Sequence, residues 1–236
     1  MRAKIVVPLL FLAAAAPAAA QRTVCTPPPP PQYGRQQSPI NIVGMIPARM
    51  DRLGTFYPGG QGGAFFTGND IQVNVAPGSY LTVDGVRFQL DEFHFHWPAE
   101  HRVQNDTFSV EIHMVHRSAA VPAQIAVVST WVRIGAHNSA WDAMWAKLPT
   151  DSTIVPVAVD IPRMFSLGSL DMEQVYRYCG SLTTGPRPAE GVTWLVRNHP
   201  IEMSRHQVEA LQGVMRRPWS RGLQALNGRT IRYWIP

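Results

Sequence analysis

Residues 88–97, FQLDEFHFHW, restrict most sharply what this chain can become. In a strand, successive side chains point to opposite faces. Phe88, Leu90, Glu92, His94 and His96 then share one face, and Phe93, Phe95 and Trp97 the other. A strand with bulky groups on both sides has to be covered on both sides. It therefore belongs inside a layered β-structure rather than on a half-wet sheet.

The stretch 108–116, FSVEIHMVH, reads as a second such strand. Ser109, Glu111, His113 and Val115 take one face; Val110, Ile112, Met114 and His116 take the other. The connection, 98–107, is short enough for antiparallel neighbours. If the Glu92 and Glu111 faces look the same way, His94, His96 and His113 converge. Three imidazoles with no fourth protein ligand are the donor set of a catalytic zinc site. Glu92 and Glu111 each precede a histidine by two residues on its own face. A carboxylate there can accept the imidazole N–H that faces away from the metal. One buried histidine alone is usually a hydrogen-bonded core residue, but two at i and i+2 with a third on the neighbouring strand point to metal. A cupin-type iron site competes for part of the pattern, since His94, His96 and Glu100 have its His-x-His-x3-Glu spacing. That motif wants glycine seven residues after the glutamate, where this chain has Thr107.

IQVNVA, YLTVDGVRFQL, QIAVVSTWVRI, TIVPVAV and GVTWLVR are further short runs rich in Val, Ile and aromatics. Gly, Pro, Asn and Asp separate them, which predicts a large sheet. Helix signals are few. Ser204 and Gln207 form a capping box ahead of the stripe Val208, Leu211, Met215, and SAWDAMWAKL is a second short candidate. No internal repeat is visible. The expected fold is mainly β with a few short helices, in a single domain around a large twisted, mostly antiparallel sheet.

The first 20 residues read as a secretory signal: basic MRAK, apolar IVVPLLFLAAAA, then PAAAQ for cleavage after Ala20. No later segment is apolar enough to span a membrane. The expected location is secreted, with the periplasm the plain reading. Residues 21–36 contain TPPPPPQYGRQ and read as an extended proline-rich tether, leaving 37–236 as the domain. The formal charge is +5, from scattered arginines with no dense run, so nothing suggests a nucleic-acid partner. Cys25 and Cys179 are the two cysteines. In an exported chain they favour a disulfide, with two inert thiols as the alternative.

Several blocks, in order, resemble the α-class carbonic anhydrases. QSPINI (37–42) is similar to the family's entry motif, FHFHWPAEH and EIHMVH to its zinc-ligand strands, and GSLTTGP (180–186) with EGVTWLV (190–196) to its active-site loop and strand. The resemblance runs from about Gln37 to Arg232. It implies zinc-dependent, reversible hydration of carbon dioxide to bicarbonate and a proton. His94, His96 and His113 match the zinc ligands. Thr183 and Glu100 match the pair that orients zinc-bound hydroxide. Glu111 matches the carboxylate behind the third ligand, and Glu92 stands behind the first. Val115, Val127, Leu182, Thr184, Val192 and Trp194 match the pocket lining, and His101 with Tyr178 a buried structural pair. Ser38–Pro39 and Gly185–Pro186 match positions that are commonly cis. The implied partners are carbon dioxide and bicarbonate, with a homodimer left open.

The chain departs from the family pattern in four places. Asn69 takes the place of the proton-shuttle histidine, and an amide does not carry protons at neutral pH. Glu92 stands where glutamine is common. The aromatic N-terminal segment is replaced by the proline-rich stretch. The usual second cysteine position holds Arg187, with Cys179 eight residues earlier. These departures keep a second reading open, a zinc-binding module of the same fold with weak or no turnover.

Overall fold

The computed structural model describes residues 24–30, 32–49, 53–167 and 175–234. The signal-peptide reading of residues 1–20 lies outside them. One 13-stranded sheet dominates. Its central order runs Ile71–Val75, Val86–His96, Val110–Ser118, Ile125–Ile134, Glu190–Arg197, Val175–Ser181. These neighbours pair antiparallel except Ile125–Ile134 with Glu190–Arg197, which is parallel. The sheet is therefore mixed, with antiparallel pairs in the majority. The Tyr80–Val83 and Val86–His96 strands meet at Asp84-Gly85, both with positive φ, the two-residue hairpin that an Asp-Gly pair favours.

His94 lies directly opposite His113 in the ladder, as the alternation requires. The face pattern of 88–96 needs one correction. Leu90 pairs with His116 and Glu92 with Val115, so Asp91 is an extra residue, a β-bulge. The bulge reverses the phase of the strand. Phe88 and Leu90 join Phe93 and Phe95 in one buried core, and Glu92, His94 and His96 are left on the opposite face. An unbroken alternation would have driven Phe88 and Leu90 into the polar site.

The two sheet faces carry two cores. One gathers Phe93, Phe95, Ile112, Met114, Trp141 and Phe165, and the helix Arg205–Met215 closes it with Val208, Leu211 and Met215. That helix opens on the expected capping box, Ser204 with Gln207. The other core holds Val115, Val127, Trp131, Tyr178, Val192 and Trp194 around the histidine face. The second helix candidate forms as a short turn, Ser139–Trp141, running into Asp142–Trp145.

Cys25 and Cys179 are disulfide-bonded, with Cα atoms 5.5 Å apart. The bridge fastens the proline-rich segment across the Glu190–Arg197 strand. Cys25 N–H donates to Thr193 Oγ1 at 2.9 Å, and Gly34 and Gln36 N–H donate to the Glu190 carboxylate. Gly191 makes this docking sterically feasible: a Cβ there would stand 2.5 Å from Pro27 N. The Ser38–Pro39 bond is cis as the resemblance implies; Gly185–Pro186 is not, while Trp97–Pro98 and Val121–Pro122 are.

A buried histidine sets a pH limit on the fold. His116 Nδ1–H donates to the Met114 carbonyl at 3.0 Å, so its Nε2 accepts from Tyr57 O–H at 2.9 Å. Burial holds its pKa down at about 4, against an ordinary value near 6.5. Between those values the unfolded chain binds a proton that the native state refuses. Stability is then full above pH 6.5 and falls as pH drops toward 4, by about 3 kcal/mol for this residue. In urea titrations at pH 7 and pH 4.5, His116→Gln is expected to lose less stability than wild type over that step. Equal losses would contradict the assignment.

Candidate metal centre

The three histidines lie on two neighbouring strands, His94 and His96 on Val86–His96 and His113 on Val110–Ser118. Each triad ring has one nitrogen engaged on its outer side. His94 Nδ1–H donates to Glu92 Oε2 at 2.9 Å. His96 Nδ1–H donates to the Trp219 carbonyl at 3.2 Å. His113 Nε2–H donates to Glu111 Oε1 at 2.8 Å. The remaining nitrogens, Nε2 of His94 and His96 and Nδ1 of His113, are the ones left for a ligand. The three residues each offer a ligand atom within 4.8 Å of the others. His96 Nε2 is buried with no hydrogen-bond partner, which is costly unless something fills the space. This donor set fits a tetrahedral cation with one open position.

Electrostatics support the same reading. Burial, then His113 and His94, hold the His96 pKa well below its ordinary value. Burial also holds His113 down at about 4. Both are neutral imidazoles, the form that binds metal. Burial opposes charge on His94 as well, but the Glu92 charge and hydrogen bond, with Asp70 and Glu100, push it up to about 8.

Glu111 organises the floor. Its Oε1 accepts from His113 Nε2, from His101 Nδ1 at 2.7 Å and from Ser129 Oγ at 2.5 Å. Its Oε2 accepts from the backbone N–H groups of Glu100 and His101 at 2.8 and 2.7 Å. Burial alone raises a carboxylate pKa; His101 and His113 overcome this and hold Glu111 well below its usual range. Behind it, Tyr178 O–H donates to His101 Nε2 at 2.5 Å, and Ser38 Oγ lies 2.8 Å from the same hydroxyl.

Glu100 Oε1 accepts from Arg221 N–H at 2.7 Å, while Oε2 is buried without a partner. Burial and the Glu111 charge push the Glu100 pKa up to about 8, against the opposing hydrogen bond from Arg221 N–H. Oε1 stands 3.3 Å from His96 Nδ1, on the outer side of that ring. Glu100 is thus behind His96 rather than beside its Nε2, so the cupin arrangement is not formed. Val115, Val127, Val192 and Trp194 are buried in one cluster, with Leu182 packed against it, and the Trp194 ring meets His113 at 4.8 Å. Thr183 is buried and Thr184 exposed. Asn69 sits in the turn before Ile71–Val75, its Oδ1 accepting from Arg217 Nη2 at 2.6 Å.

Three contributors escaped the sequence reading: Ser129, and the backbone of Trp219 and Arg221. Ser129 had a detectable signal, since it alternates with Val127 and Trp131 on the face toward His113. The 219–221 stretch carries no periodicity that would place it.

Fold and site together define the class, a protein with a three-histidine candidate metal centre set into one large sheet. The sequence model of the family described as eukaryotic-type carbonic anhydrase matches residues 29–235. A carbonic anhydrase of Pectobacterium carotovorum is 35% identical over 203 residues, covering 84% of this chain and 80% of the relative. The α-carbonic anhydrase of Thermovibrio ammonificans, solved with the inhibitor sulfanilamide, superposes with a TM-score of 0.78 at 32% identity, over 84% of this chain and 87% of that one. That of Photobacterium profundum gives 0.76 at 35% identity, over 84% and 89%. The chain belongs to the eukaryotic-type, or α, carbonic anhydrase family.

Proposed function

We propose that the protein catalyses the zinc-dependent, reversible hydration of carbon dioxide to bicarbonate and a proton. The observation that carries this is the set of three inward ring nitrogens whose outer partners are already engaged. His94, His96 and His113 would hold zinc. Zinc so bound lowers the pKa of water to about 7 and supplies a hydroxide nucleophile near neutral pH. Glu92 and Glu111 fix the ring directions of His94 and His113. The positive charge of a metal in the triad opposes the upward push on Glu100 and favours its carboxylate form. Thr183 O–H then donates to Glu100 Oε2, which supplies the partner that oxygen lacks. The threonine oxygen is left as an acceptor and orients the attacking oxygen toward the substrate carbon. Val115, Val127, Leu182, Val192 and Trp194 offer an apolar wall for a nonpolar gas, with Thr184 at its rim. Residues 1–20 act as a removed signal and 37–236 as the catalytic domain, so the protein works outside the cytoplasm, in the periplasm; the disulfide agrees with an oxidising compartment.

The second reading, a zinc-binding module with weak or no turnover, is favoured by Asn69 and by the proline-rich stretch that stands in place of the aromatic N-terminal segment. Stopped-flow hydration by the zinc-loaded protein decides between them. Catalysis at kcat/KM of about 10⁶ M⁻¹s⁻¹ or more, abolished by sulfanilamide, is expected. A rate at the uncatalysed level would leave the module reading. Proton export is expected to depend on external buffer, because the Asn69 amide does not titrate. In dilute buffer kcat should be low and rise with added imidazole, while kcat/KM stays nearly flat. Asn69→His should raise kcat by roughly tenfold or more. A kcat already high and indifferent to imidazole would refute this.

A further inference from the structure

We propose that Ser129 is a positioning residue that sets how tightly the centre holds its metal, acting through Glu111 on His113. This rests on the zinc reading above. The Glu111 carboxylate has about four lone-pair sites on its two oxygens. It receives five donors, two on Oε2 and three on Oε1. Oε1 is therefore oversubscribed, and its three donors compete for the same electron density.

The shortest of the three is the Ser129 hydroxyl. At 2.5 Å it falls in the range of a charge-assisted O–H···O⁻ bond, while His113 Nε2 stands at 2.8 Å. All three groups are buried, so the competition occurs out of reach of water. Ser129 is also the direct ladder partner of His113, which fixes its hydroxyl over the carboxylate.

A carboxylate behind a metal-binding imidazole makes that imidazole a stronger donor. Charge drawn toward Ser129 is charge withheld from His113. Two effects of removing the hydroxyl could oppose each other. Glu111 would lose one restraint, and the Glu111–His113 bond would gain strength. The first is small, because four donors still hold the carboxylate on both oxygens. The second therefore decides the sign. Ser129 weakens the metal site, and its loss should tighten it.

The test compares wild type, Ser129→Ala, Ser129→Cys and Val128→Ala, all zinc-loaded. Val128 is on the opposite face of the same strand and reports general damage. Zinc transfer to excess chelator gives the release rate, and proton NMR of the downfield imidazole N–H signals reads the Glu111–His113 bond directly. Release from Ser129→Ala is expected to be about three- to tenfold slower than from wild type. Its His113 Nε2–H resonance should move downfield. Ser129→Cys, with a weaker donor, should fall between, and Val128→Ala should match wild type in both readouts. Unchanged or faster release from Ser129→Ala, or an unmoved or upfield resonance, would overturn the assignment. Wild-type zinc content is measured first: a wild type that takes up no zinc overturns both this inference and the function proposed above.

Discussion

His113→Ala is expected to purify with little or no zinc and to hydrate carbon dioxide at least about a thousandfold more slowly than wild type. Among the described residues the triad has no spare ligand beside it. Glu100 stands on the outer side of His96, and Glu111 is already saturated by other donors. Two imidazoles fall short of the three protein ligands that zinc takes in catalytic centres. The fold should survive the change, because Glu111 keeps four of its five donors. Elemental analysis, hydration kinetics and circular dichroism on one preparation check all three statements. A folded His113→Ala protein with a full equivalent of zinc would refute the ligand assignment.

Cys25→Ser is expected to cost several kcal/mol of stability. The bridge closes a span of 154 residues. Chain-entropy arguments give about 5 kcal/mol for such a loop, and measured disulfides commonly deliver about 2–4 kcal/mol. For a domain of this size that corresponds to a Tm lower by roughly 10 °C. The same loss should appear when wild type is melted under reducing conditions. The Cys25→Ser protein should then be insensitive to reductant. Equal Tm values for oxidised and reduced wild type would show that the docked contacts of Gly34, Gln36 and Glu190 hold the segment without the bridge.

The centre was legible in sequence to the extent that it is made by alternation. His94 and His113 fall opposite one another because each strand keeps period two through its histidines and the connection between them is short. The Ser204 helix was legible because a capping box is a local device. The Asp91 bulge was not. The pattern FQLDEF alternates plausibly through it, and only the pairing with Val115 and His116 reveals the extra residue. Whether Cys25 and Cys179 bridge or stay as two thiols was left open, because it depends on how the proline-rich segment crosses Gly191, a contact across more than 150 residues. Trp219 and Arg221 act through backbone atoms, which any residue type supplies, so their identities carry no trace of the role. Ser129 differs from these: its face was predictable, but nothing local distinguishes a serine that restrains a carboxylate from one that fills a buried strand.

The central claim is that one zinc in this triad drives carbon dioxide hydration. Titrating zinc into metal-stripped protein, while following hydration by stopped flow, tests it most directly. Activity should rise linearly from background and level off at one equivalent per chain, with His113→Ala flat throughout. Bound zinc at one equivalent with no hydration above background, or equal activity without metal, would contradict it.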